Sequence, residues 1–458
     1  MPNGCREISK GIPPAGAPGH NVPNGCPGIT EGIPPAGAPG PVGTEVILPY
    51  ITRRELLKSA GAAALFASIG LSAARAEAPA FEILWTKPVS ETPDIYYGWP
   101  TVGVTKDDEL IVVASGGREG HICPFGRVDM FRSRDKGQTW TWPQTIYDSP
   151  IDDRDGGLLV TDKGTLLVTT YTDPNGKYAA MLKEEAARRA RGEKEMSDQR
   201  YNRWKKACER LGERESIREL GCFLLRSTDD GVNWEARRRI PVNSNHGPFQ
   251  LKSGRVIYPG VEMWTEERAE FFRREKAAGE TMVPSGNRVS VWYSDDDGQN
   301  WAFLSAIPAR GGDSIDHYHE LHGVEAEDGT LIVQIRNHNE RNNQETLQCE
   351  SHDGGKTWTE PHEIGVWGLP SHLTRLADGR LLMSYGYRRA PLGQYVRVSD
   401  DRGKSWSEPM YIGPNDVSGD LGYPSTAQLS DGSLVTVWYE TPAPGAKAIV
   451  KMARWVLK

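Results

Sequence analysis

Tyr423 and Glu320 are a tyrosine and a carboxylate whose types could together perform covalent catalysis. Each is followed by a stretch in which apolar residues alternate with polar ones, a pattern that predicts a β-strand. A tyrosine is an uncharged nucleophile, and a carboxylate beside it can accept the phenolic proton. An uncharged nucleophile suits a substrate whose own carboxylate would repel an aspartate or a glutamate. A tyrosine near carboxylates is therefore compatible with hydrolysis of an anionic substrate.

Arginines at the ends of predicted strands support the same chemistry. Arginine binds carboxylates through paired hydrogen bonds, which lysine cannot form. The candidates for substrate binding are Arg118, Arg154, Arg336 and Arg388 or its neighbour Arg389. They predict a site that holds an anion.

Histidines form a third group of candidates, namely His121, His246, His317, His319 and His372. One of them could act as a general acid or base, because the ordinary pKa of histidine lies near neutrality. Histidines and carboxylates could also bind zinc, but no close spacing of the H-E-x-x-H kind occurs. We therefore predict neither a metal nor another cofactor. His246, His319 and His372 are instead predicted to contact the substrate.

A repeated turn defines the elements that must position these residues. The pattern is Ser, any residue, Asp, any residue, Gly, any residue, Thr/Ser/Asn, Trp. Serine and aspartate bond to their own backbone, glycine supplies a positive φ, and tryptophan offers a large apolar surface. Its five copies are Ser133–Trp140, Ser227–Trp234, Ser294–Trp301, Ser351–Trp358 and Ser399–Trp406.

Each copy lies late in a longer unit of four predicted strands, A to D. A hairpin joins A to B, and the repeated turn joins C to D. There are six A–B hairpins but five repeated turns. The last unit ends in a C strand near Ala448–Val456, so its D strand must come from elsewhere, and Phe81–Thr86 is an unpaired strand near the other end. We predict an all-β, six-bladed propeller whose N-terminal strand closes the last blade and leaves no open sheet edge.

The two faces of such a propeller differ in what they can carry. The repeated turns lie on one face, whereas the starts of A strands and the ends of B strands lie on the other, close to the central axis. Tyr423, Glu320, the arginines and the histidines all fall at those axial positions. The topology therefore predicts that they converge on one site.

The repeated turn resembles the Asp-box of the sialidase (neuraminidase) superfamily, and the resemblance extends from about Phe81 to Lys458. In that family the box is structural. The stretch DLGYPSTAQLSDGSLVTVWYE resembles the last-blade motif, which implies that Tyr423 is the nucleophile. HELHGVEAEDGTLIVQIRNH resembles the blade that supplies its base and a carboxylate-binding arginine, which implies those roles for Glu320 and Arg336. Matching motifs imply anion binding by Arg118 and by Arg388 or Arg389.

Two motifs depart from the family pattern. The first blade of the family opens with a Tyr-Arg-Ile-Pro type of motif, but here the run is Tyr97-Gly98-Trp99-Pro100, without the arginine. The family also places an acid/base aspartate in the loop after the first B strand. Here that loop is EGHICPFGRVD, so His121, Asp153 or Asp155 is the candidate for this role.

These observations predict an exported, exo-acting glycoside hydrolase of sialidase type that cleaves a terminal acidic sugar, sialic acid or a relative, from a glycan. One alternative is a hydrolase or lyase that acts on a uronate-containing polysaccharide through histidine and tyrosine. Another is a non-catalytic carbohydrate-binding propeller, although a scaffold would not need the Tyr423 and Glu320 pair. A net charge of −7 does not suggest a nucleic-acid partner.

The first 76 residues are expected to be separate from the propeller. Residues 1–50 contain a Gly/Pro-rich repeat that cannot bury a core, so we expect disorder there, or a translation start further along the chain. Residues 51–76 combine Arg53-Arg54, an apolar run and Ala74-Arg75-Ala76, which predicts a twin-arginine (Tat) signal peptide and a periplasmic or secreted protein. No later stretch is long and apolar enough to span a membrane.

Two loops within the predicted propeller, residues 81–458, are long and rich in helix-forming residues. They lie at about residues 178–220 in blade two and at about Trp264–Glu280 in blade three. We expect helical inserts there, either as solvated decoration or as a wall beside the substrate. The four cysteines after residue 76 do not imply disulfides, because Tat substrates fold before export.

Overall fold

A computed structural model describes residues 77–92, 94–173, 175–263, 285–414 and 417–458. The Gly/Pro-rich repeat, the predicted signal peptide and the predicted insert of blade three lie outside these ranges. No helix within them is long and apolar enough to cross a membrane.

Within the described residues, the strands form six antiparallel sheets, the blades of a propeller. Blades one and two contain β2 (Tyr96–Val104), β3 (Leu110–Arg118), β4 (Arg127–Ser133), β5 (Gln144–Tyr147), β6 (Asp152–Val160), β7 (Leu166–Asp173), β8 (Cys222–Ser227) and β9 (Arg238–Ile240). Blade three contains β10 (Val242–Asn243), β11 (Phe249–Gln250), β12 (Val256–Glu262), β13 (Val289–Ser294) and β14 (Ala302–Ala306).

Blades four and five contain β15 (Tyr318–Glu325), β16 (Leu331–Asn337), β17 (Leu347–Ser351), β18 (His362–Glu363), β19 (Ser371–Arg375), β20 (Leu381–Tyr387), β21 (Gly393–Ser399) and β22 (Met410–Pro414). Blade six contains β23 (Leu421–Gln428), β24 (Leu434–Glu440), β25 (Ile449–Leu457) and the N-terminal β1 (Phe81–Pro88). The predicted all-β, six-bladed architecture is confirmed.

The N-terminal strand closes the ring, as the count of hairpins and turns predicts. β1 pairs antiparallel with β25, from Phe81 opposite Leu457 to Pro88 opposite Lys451. Trp455 is fully buried in β25, and its ring meets that of Phe81 edge-on at 6.4 Å. The two ends of the described chain therefore complete one sheet, and β25 is left without an open edge.

The five repeated turns join the third and fourth strands of blades one to five. In the first of them, the Ser133 hydroxyl donates to Asp135 Oδ1 at 2.8 Å and accepts the backbone N–H of Gly137 at 2.8 Å. The serine-to-aspartate distance is also 2.8 Å in the other four turns. Lys136 of the first turn donates to Asp431 in the A–B turn of blade six at 2.9 Å, so both kinds of turn share one face.

Apolar packing between neighbouring blades forms the core. Ile257 and Val291 of blade three, for example, pack with Leu331 and Val333 of blade four. The tryptophan that ends a repeated turn joins such a cluster, as Trp406 of blade five does with residues of blade four. Each blade therefore buries both of its faces against its neighbours, which fixes the blades around the axis.

Three helices follow β7 in blade two, namely α1 (Asn175–Ala190), α2 (Asp198–Glu209) and α3 (Glu213–Glu219). They coincide with the predicted insert. Trp204 of α2 is fully buried and donates its indole N–H to Glu119 of blade one at 2.9 Å, and Arg200 donates to the same carboxylate at 2.9 Å. The insert is therefore docked against the loop that follows β3.

The innermost strands are irregular at the axial face. Each of the strands β2, β6, β15 and β23 shifts register with its neighbour near its start, twice in β2 and once in the others. The shifted positions hold residues with a positive φ, a backbone conformation that residues other than glycine rarely adopt. These are Trp99 (55°), Asp155 (50°), Glu320 (29°) and Tyr423 (53°). These bulges gather four unlike side chains at the axis, and backbone strain of this kind is often found at functional sites.

Candidate active site

Tyr423 and Glu320 lie in hydrogen-bonding contact, although 103 positions separate them in the chain. The Tyr423 hydroxyl donates to Glu320 Oε1 at 2.5 Å. Arg336, on the neighbouring strand β16, donates from Nη1 to Glu320 Oε2 at 2.7 Å and to the Tyr423 oxygen at 3.1 Å. The triad is held by bulges in β15 and β23, and all three residues come from the axial ends of their strands.

The electrostatics of this triad set the protonation states of the tyrosine and the glutamate at rest. Burial alone would raise the pKa of Glu320, but the charge of Arg336 and the hydrogen bond from Tyr423 bring it below its ordinary value. Burial and the charge of Glu320 raise the pKa of Tyr423 well above its ordinary value. Tyr423 is therefore a neutral phenol at rest, and ionised Glu320 accepts its hydrogen bond.

Arg388 lies on the other side of Tyr423. Its guanidinium carbon is 5.9 Å from the centre of the Tyr423 ring, and it donates to the Leu421 carbonyl at 3.0 Å and to the Tyr439 hydroxyl at 3.1 Å. Arg389 instead reaches away to the Asn343 carbonyl at 2.8 Å. Of the two alternatives that the motif left open, Arg388 is the one beside the tyrosine.

His121 lies at the exposed rim, where Asp420 orients it. The distance from His121 Nδ1 to Asp420 Oδ1 is 2.9 Å, and Tyr96 and Tyr439 donate to the same carboxylate at 3.0 Å. Desolvation lowers the pKa of His121, although its hydrogen bond to the Asp420 carboxylate opposes that shift. His121 and Tyr423 both contact the ring of Trp99, with ring centres 5.0 and 6.4 Å away.

Arg118 does not fit the expected role in anion binding. It is fully buried and forms a two-point ion pair with Asp152, at 2.5 and 3.1 Å. Its remaining N–H groups bond to Ser115 Oγ and to the carbonyls of Gly120 and His121. All five donors are thus engaged, so Arg118 positions the loop that carries His121.

Arg154 is better placed to meet a substrate. Its guanidinium lies 4.6 Å from the Trp99 ring centre and makes only long ion pairs, 3.5 Å to Asp152 and 3.5 Å to Asp173. Its Nε and Nη1 atoms have no hydrogen-bond partner among the described residues. Arg154 therefore places a cationic group beside Trp99, next to position 98, where the family motif has an arginine.

Asp155 is the carboxyl group at the bulge of blade two. It is buried next to Arg154, and burial together with the charge of Glu320 raises its pKa to about 7. Its neighbour Asp153 points elsewhere, since it accepts the backbone N–H of Ser149 at 2.6 Å, and burial raises its pKa to about 8. Asp155 is thus a protonated carboxylic acid below about pH 7, close to the triad.

Five further histidines form two clusters of ring contacts. The His322 and His372 rings stack at 4.3 Å, and His246 meets His372 edge-on at 5.0 Å and Tyr423 at 6.3 Å. His319 instead contacts His338 at 4.7 Å, and burial lowers its pKa to about 3. Burial lowers the pKa of His246, His322 and His372 as well, so these three rings and that of His319 are neutral at physiological pH. The described residues contain no group of three or more His, Cys, Asp or Glu arranged to hold a metal ion.

Several residues of the site escaped the sequence analysis. Tyr96, Trp99, Asp152, His322 and Tyr439 all contact the predicted residues, and Asn245 lies beside His246. The available signal was their register, because Trp99 precedes its A–B turn by the same interval as Tyr423 does. Aligning the inner strands of the six blades on their bulges would have placed Trp99 at the position that Tyr423 has in blade six.

Comparison with known proteins identifies the kind of repeat. The model of the BNR repeat-like domain matches residues 204–436, slightly more than half of the chain. A search of curated proteins found no match.

Solved structures share the fold at low sequence identity. A protein of unknown function from Dyadobacter fermentans superimposes with a TM-score of 0.62 at 21% identity, over 82% of this chain and 99% of that one. A variant of the NanB sialidase from Streptococcus pneumoniae gives 0.52 at 13% identity, over 82% and 70%. The leech intramolecular trans-sialidase gives 0.52 at 14% identity, over 81% and 70%. At these identities the likeness establishes the six-bladed propeller and not the activity.

Proposed function

This chain belongs to the family of BNR repeat-like domains, and we propose that it is an exo-acting glycoside hydrolase of the sialidase type, which removes a terminal acidic sugar from a glycan. The observation that carries the proposal is the 2.5 Å hydrogen bond from Tyr423 to Glu320, with Arg336 bound to both. A carbohydrate-binding scaffold would gain nothing from a buried phenol bonded to an ionised carboxylate. A nucleophile and its base require that contact.

The first step proposed is attack of the Tyr423 oxygen on the anomeric carbon of the bound sugar. Glu320 takes the phenolic proton as the oxygen–carbon bond forms, and the bond to the leaving group breaks. Because the resting pKa of Tyr423 is raised, it stays neutral until Glu320 accepts its proton. A covalent glycosyl–tyrosine results, and water then hydrolyses it with retention of configuration.

Two groups can protonate the leaving oxygen. Asp155 is a neutral acid below about pH 7 because burial raises its pKa. His121 lies at the rim, where a departing group would leave, and Asp420 orients its ring. Its pKa is lowered, so it is an acid only below its ordinary pH range. If Asp155 is the acid, kcat/KM should fall near pH 7, and if His121 is the acid, it should fall at a pH below the ordinary histidine pKa.

Three arginines are proposed to hold the anionic group of the substrate. Arg336 and Arg388 flank Tyr423, and Arg154 offers Nε and Nη1 from the opposite side of Trp99. Positive charge near the tyrosine would also stabilise the phenolate that develops during attack. The leech and NanB structures are named for enzymes that act on sialic acid, which supports an acidic sugar as the first substrate to test.

Export remains part of the proposal. The twin arginines and the A-x-A site in residues 51–76 predict a Tat-dependent route to the periplasm or the medium, where glycans would be met. Fractionation of cells that express the full chain, with Arg53 and Arg54 both changed to lysine as the control, tests it. Retention of the control in the cytoplasm together with export of the unchanged chain is the expected result.

A uronate-containing polysaccharide is the second candidate substrate. Gly98 stands where a family arginine would grip the carboxylate of sialic acid, and Trp99 with Arg154 fills that region instead. The His121–Asp420 pair also gives the site a base for lyase chemistry. A site reshaped in this way favours a different position for the carboxylate.

A substrate screen distinguishes these functions. Purified residues 77–458 would be assayed on aryl α-sialosides and on aryl uronides, with Tyr423→Phe as the inactive control. Release of the aryl group from a sialoside supports the first proposal, and turnover of uronides alone supports the second. Equal release by the wild-type protein and by Tyr423→Phe would contradict both.

A further inference from the structure

A turn in blade three, residues 244–248 between β10 and β11, carries polar atoms that the catalytic proposal leaves unused. Asn245 and His246 are each 1% exposed. The Nδ2 and Oδ1 atoms of Asn245 and the Nε2 atom of His246 have no hydrogen-bond partner among the described residues. Buried polar groups are nearly always paired in folded proteins, so three unpaired atoms on two adjacent residues point to a missing ligand.

The turn lies at the same axial site as the catalytic pair. Ser244 Oγ donates to the carbonyl of Leu321, the residue after Glu320. The ring centre of His246 is 6.3 Å from that of Tyr423. In a ring of six blades, blade three lies opposite blade six, which carries Tyr423. A sugar ring bound against Tyr423 would therefore extend toward this turn.

The unpaired atoms suit hydroxyl groups better than charged groups. An amide offers both donors and an acceptor, as a hydroxyl does. Burial lowers the pKa of His246 well below its ordinary value, so the ring is neutral. His246 Nδ1 lies 3.3 Å from Thr101 Oγ1, and if the threonine donates to it, Nε2 carries the proton and becomes a donor. The amide oxygen of Asn245 would repel an anion, and the N–H donors of Asn245 and His246 would repel a cation.

We propose that Asn245 and His246 form a specificity subsite that hydrogen-bonds two neighbouring hydroxyl groups of the sugar held at Tyr423. The proposal rests on the proposed function only in taking the ligand to be a sugar. It adds a selection rule, because a buried site built for a hydroxyl rejects an analogue that lacks it. Deoxygenated or acylated sugars would be excluded by this part of the site.

The test measures binding and needs no turnover. Tyr423→Phe would be titrated calorimetrically with the methyl glycosides of N-acetylneuraminic acid and of glucuronic acid, and with the monodeoxy form at each hydroxyl. Adding Asn245→Ala should weaken binding of the better parent glycoside at least tenfold. It should leave unchanged the binding of the one deoxy form that lacks the contacted hydroxyl, since both partners of the bond are then gone.

Gln394 supplies a matched control. It is a buried amide in β21 whose Nε2 and Oε1 also lack partners, but it lies in the third strand of its blade and away from the axis. Gln394→Ala should bind every glycoside as its parent does. Asn245→Ala should melt no lower than its parent, because no side-chain hydrogen bond is lost, and a lower melting temperature with uniform loss of binding would mark a structural role.

Three results would overturn the inference. One is unchanged binding by Asn245→Ala, another is an Asn245→Ala effect that adds to every deoxy effect, and the third is that neither parent glycoside binds. Hydrolysis by the wild-type chain is measured separately and judges the proposed function. An active glycosidase that is indifferent to Asn245 would refute the subsite alone, whereas Asn245-dependent binding without hydrolysis would refute the catalytic proposal alone.

Discussion

At the scale of single residues, the site consists of groups whose ionisation depends on their neighbours. Glu320 stays ionised because the charge of Arg336 and the hydrogen bond from Tyr423 outweigh its burial, whereas at Asp155 burial outweighs the charge of Arg154 and raises the pKa to about 7. Two carboxyl groups held in opposite states suit one to be a base and the other to be an acid. The proposed mechanism depends on this difference between the pKa values of Glu320 and Asp155.

Replacement of Glu320 by glutamine tests the base. The amide cannot accept a proton from Tyr423, so kcat should fall by about 10²–10⁴, the usual contribution of general base catalysis. The fold should persist, because glutamine still accepts a hydrogen bond from Arg336. Tyr147→Phe, which removes a hydroxyl on the outer strand β5, is the matched control and should keep full activity. A Glu320→Gln protein with wild-type kcat would exclude Glu320 as the base.

The pH profile identifies the acid. A general acid works only when protonated, so kcat/KM should fall as the pH rises through the pKa of that group. If Asp155 is the acid, the fall is centred near pH 7, and Asp155→Asn removes it. If His121 is the acid, the fall lies below the ordinary histidine pKa, and His121→Gln removes it. A profile that neither substitution alters would reject both residues.

Much of the site was predictable at the residue scale, and its omissions share one cause. Tyr423, Glu320 and Arg336 were predicted because they lie at axial strand ends and because their flanking motifs resemble those of the sialidase family. Trp99 and Asn245 looked ordinary, since their importance comes from a bulge and from a five-residue turn between two short strands. Arg118 was predicted to bind an anion for a related reason, because the sequence does not reveal that its guanidinium pairs with Asp152.

At the scale of elements, the helical insert of blade two packs against the loop that carries His121. The Glu119 carboxylate accepts hydrogen bonds from Arg200 and from the Trp204 indole. His121 lies two residues later in the same loop. Tyr178 of α1 reaches Asp152, the partner of Arg118. The insert therefore contacts both the loop that carries His121 and the Arg118–Asp152 ion pair, which favours a wall over solvated decoration.

Loss of the Trp204 side chain should undock this wall. Trp204 is fully buried against Tyr178 and Leu182, so Trp204→Ala should destabilise the insert by about 3–5 kcal/mol. We expect faster proteolysis within residues 175–219 and a reduced kcat, while the propeller still melts cooperatively. Arg188→Ala removes only exposed ion pairs of α1 and should change neither quantity measurably. Resistance of Trp204→Ala to proteolysis equal to that of the wild type would refute the coupling.

At the scale of the whole molecule, closure by β1 fixes the geometry of the axis. The six blades meet only if β25 gains its partner, and blade six carries both Tyr423 and that closure. This part of the fold was predictable from counting, because hairpins exceeded repeated turns by one and a single strand remained unpaired. The positions of the bulges were not, since they depend on how the inner strands crowd around the axis.

Removal of residues 77–88 should therefore open the ring. The shortened chain should lose most of its cooperative thermal transition and all of its activity, because Tyr423 loses its fixed position relative to Glu320. A synthetic peptide of residues 77–92 added in excess should restore part of both by pairing with β25. A shortened chain that melts at the wild-type temperature would show that β1 is dispensable.

The central claim is that Tyr423 attacks the sugar, and one measurement addresses it directly. The wild-type chain and Tyr423→Phe would be incubated with 2,3-difluorosialic acid and with the corresponding activated fluoro-uronide, and each protein would be digested and mapped by mass spectrometry. We expect one added glycosyl mass on the peptide that contains Tyr423 in the wild type and none in Tyr423→Phe. A glycosyl adduct on any other residue, or full hydrolytic activity in Tyr423→Phe, would contradict the account.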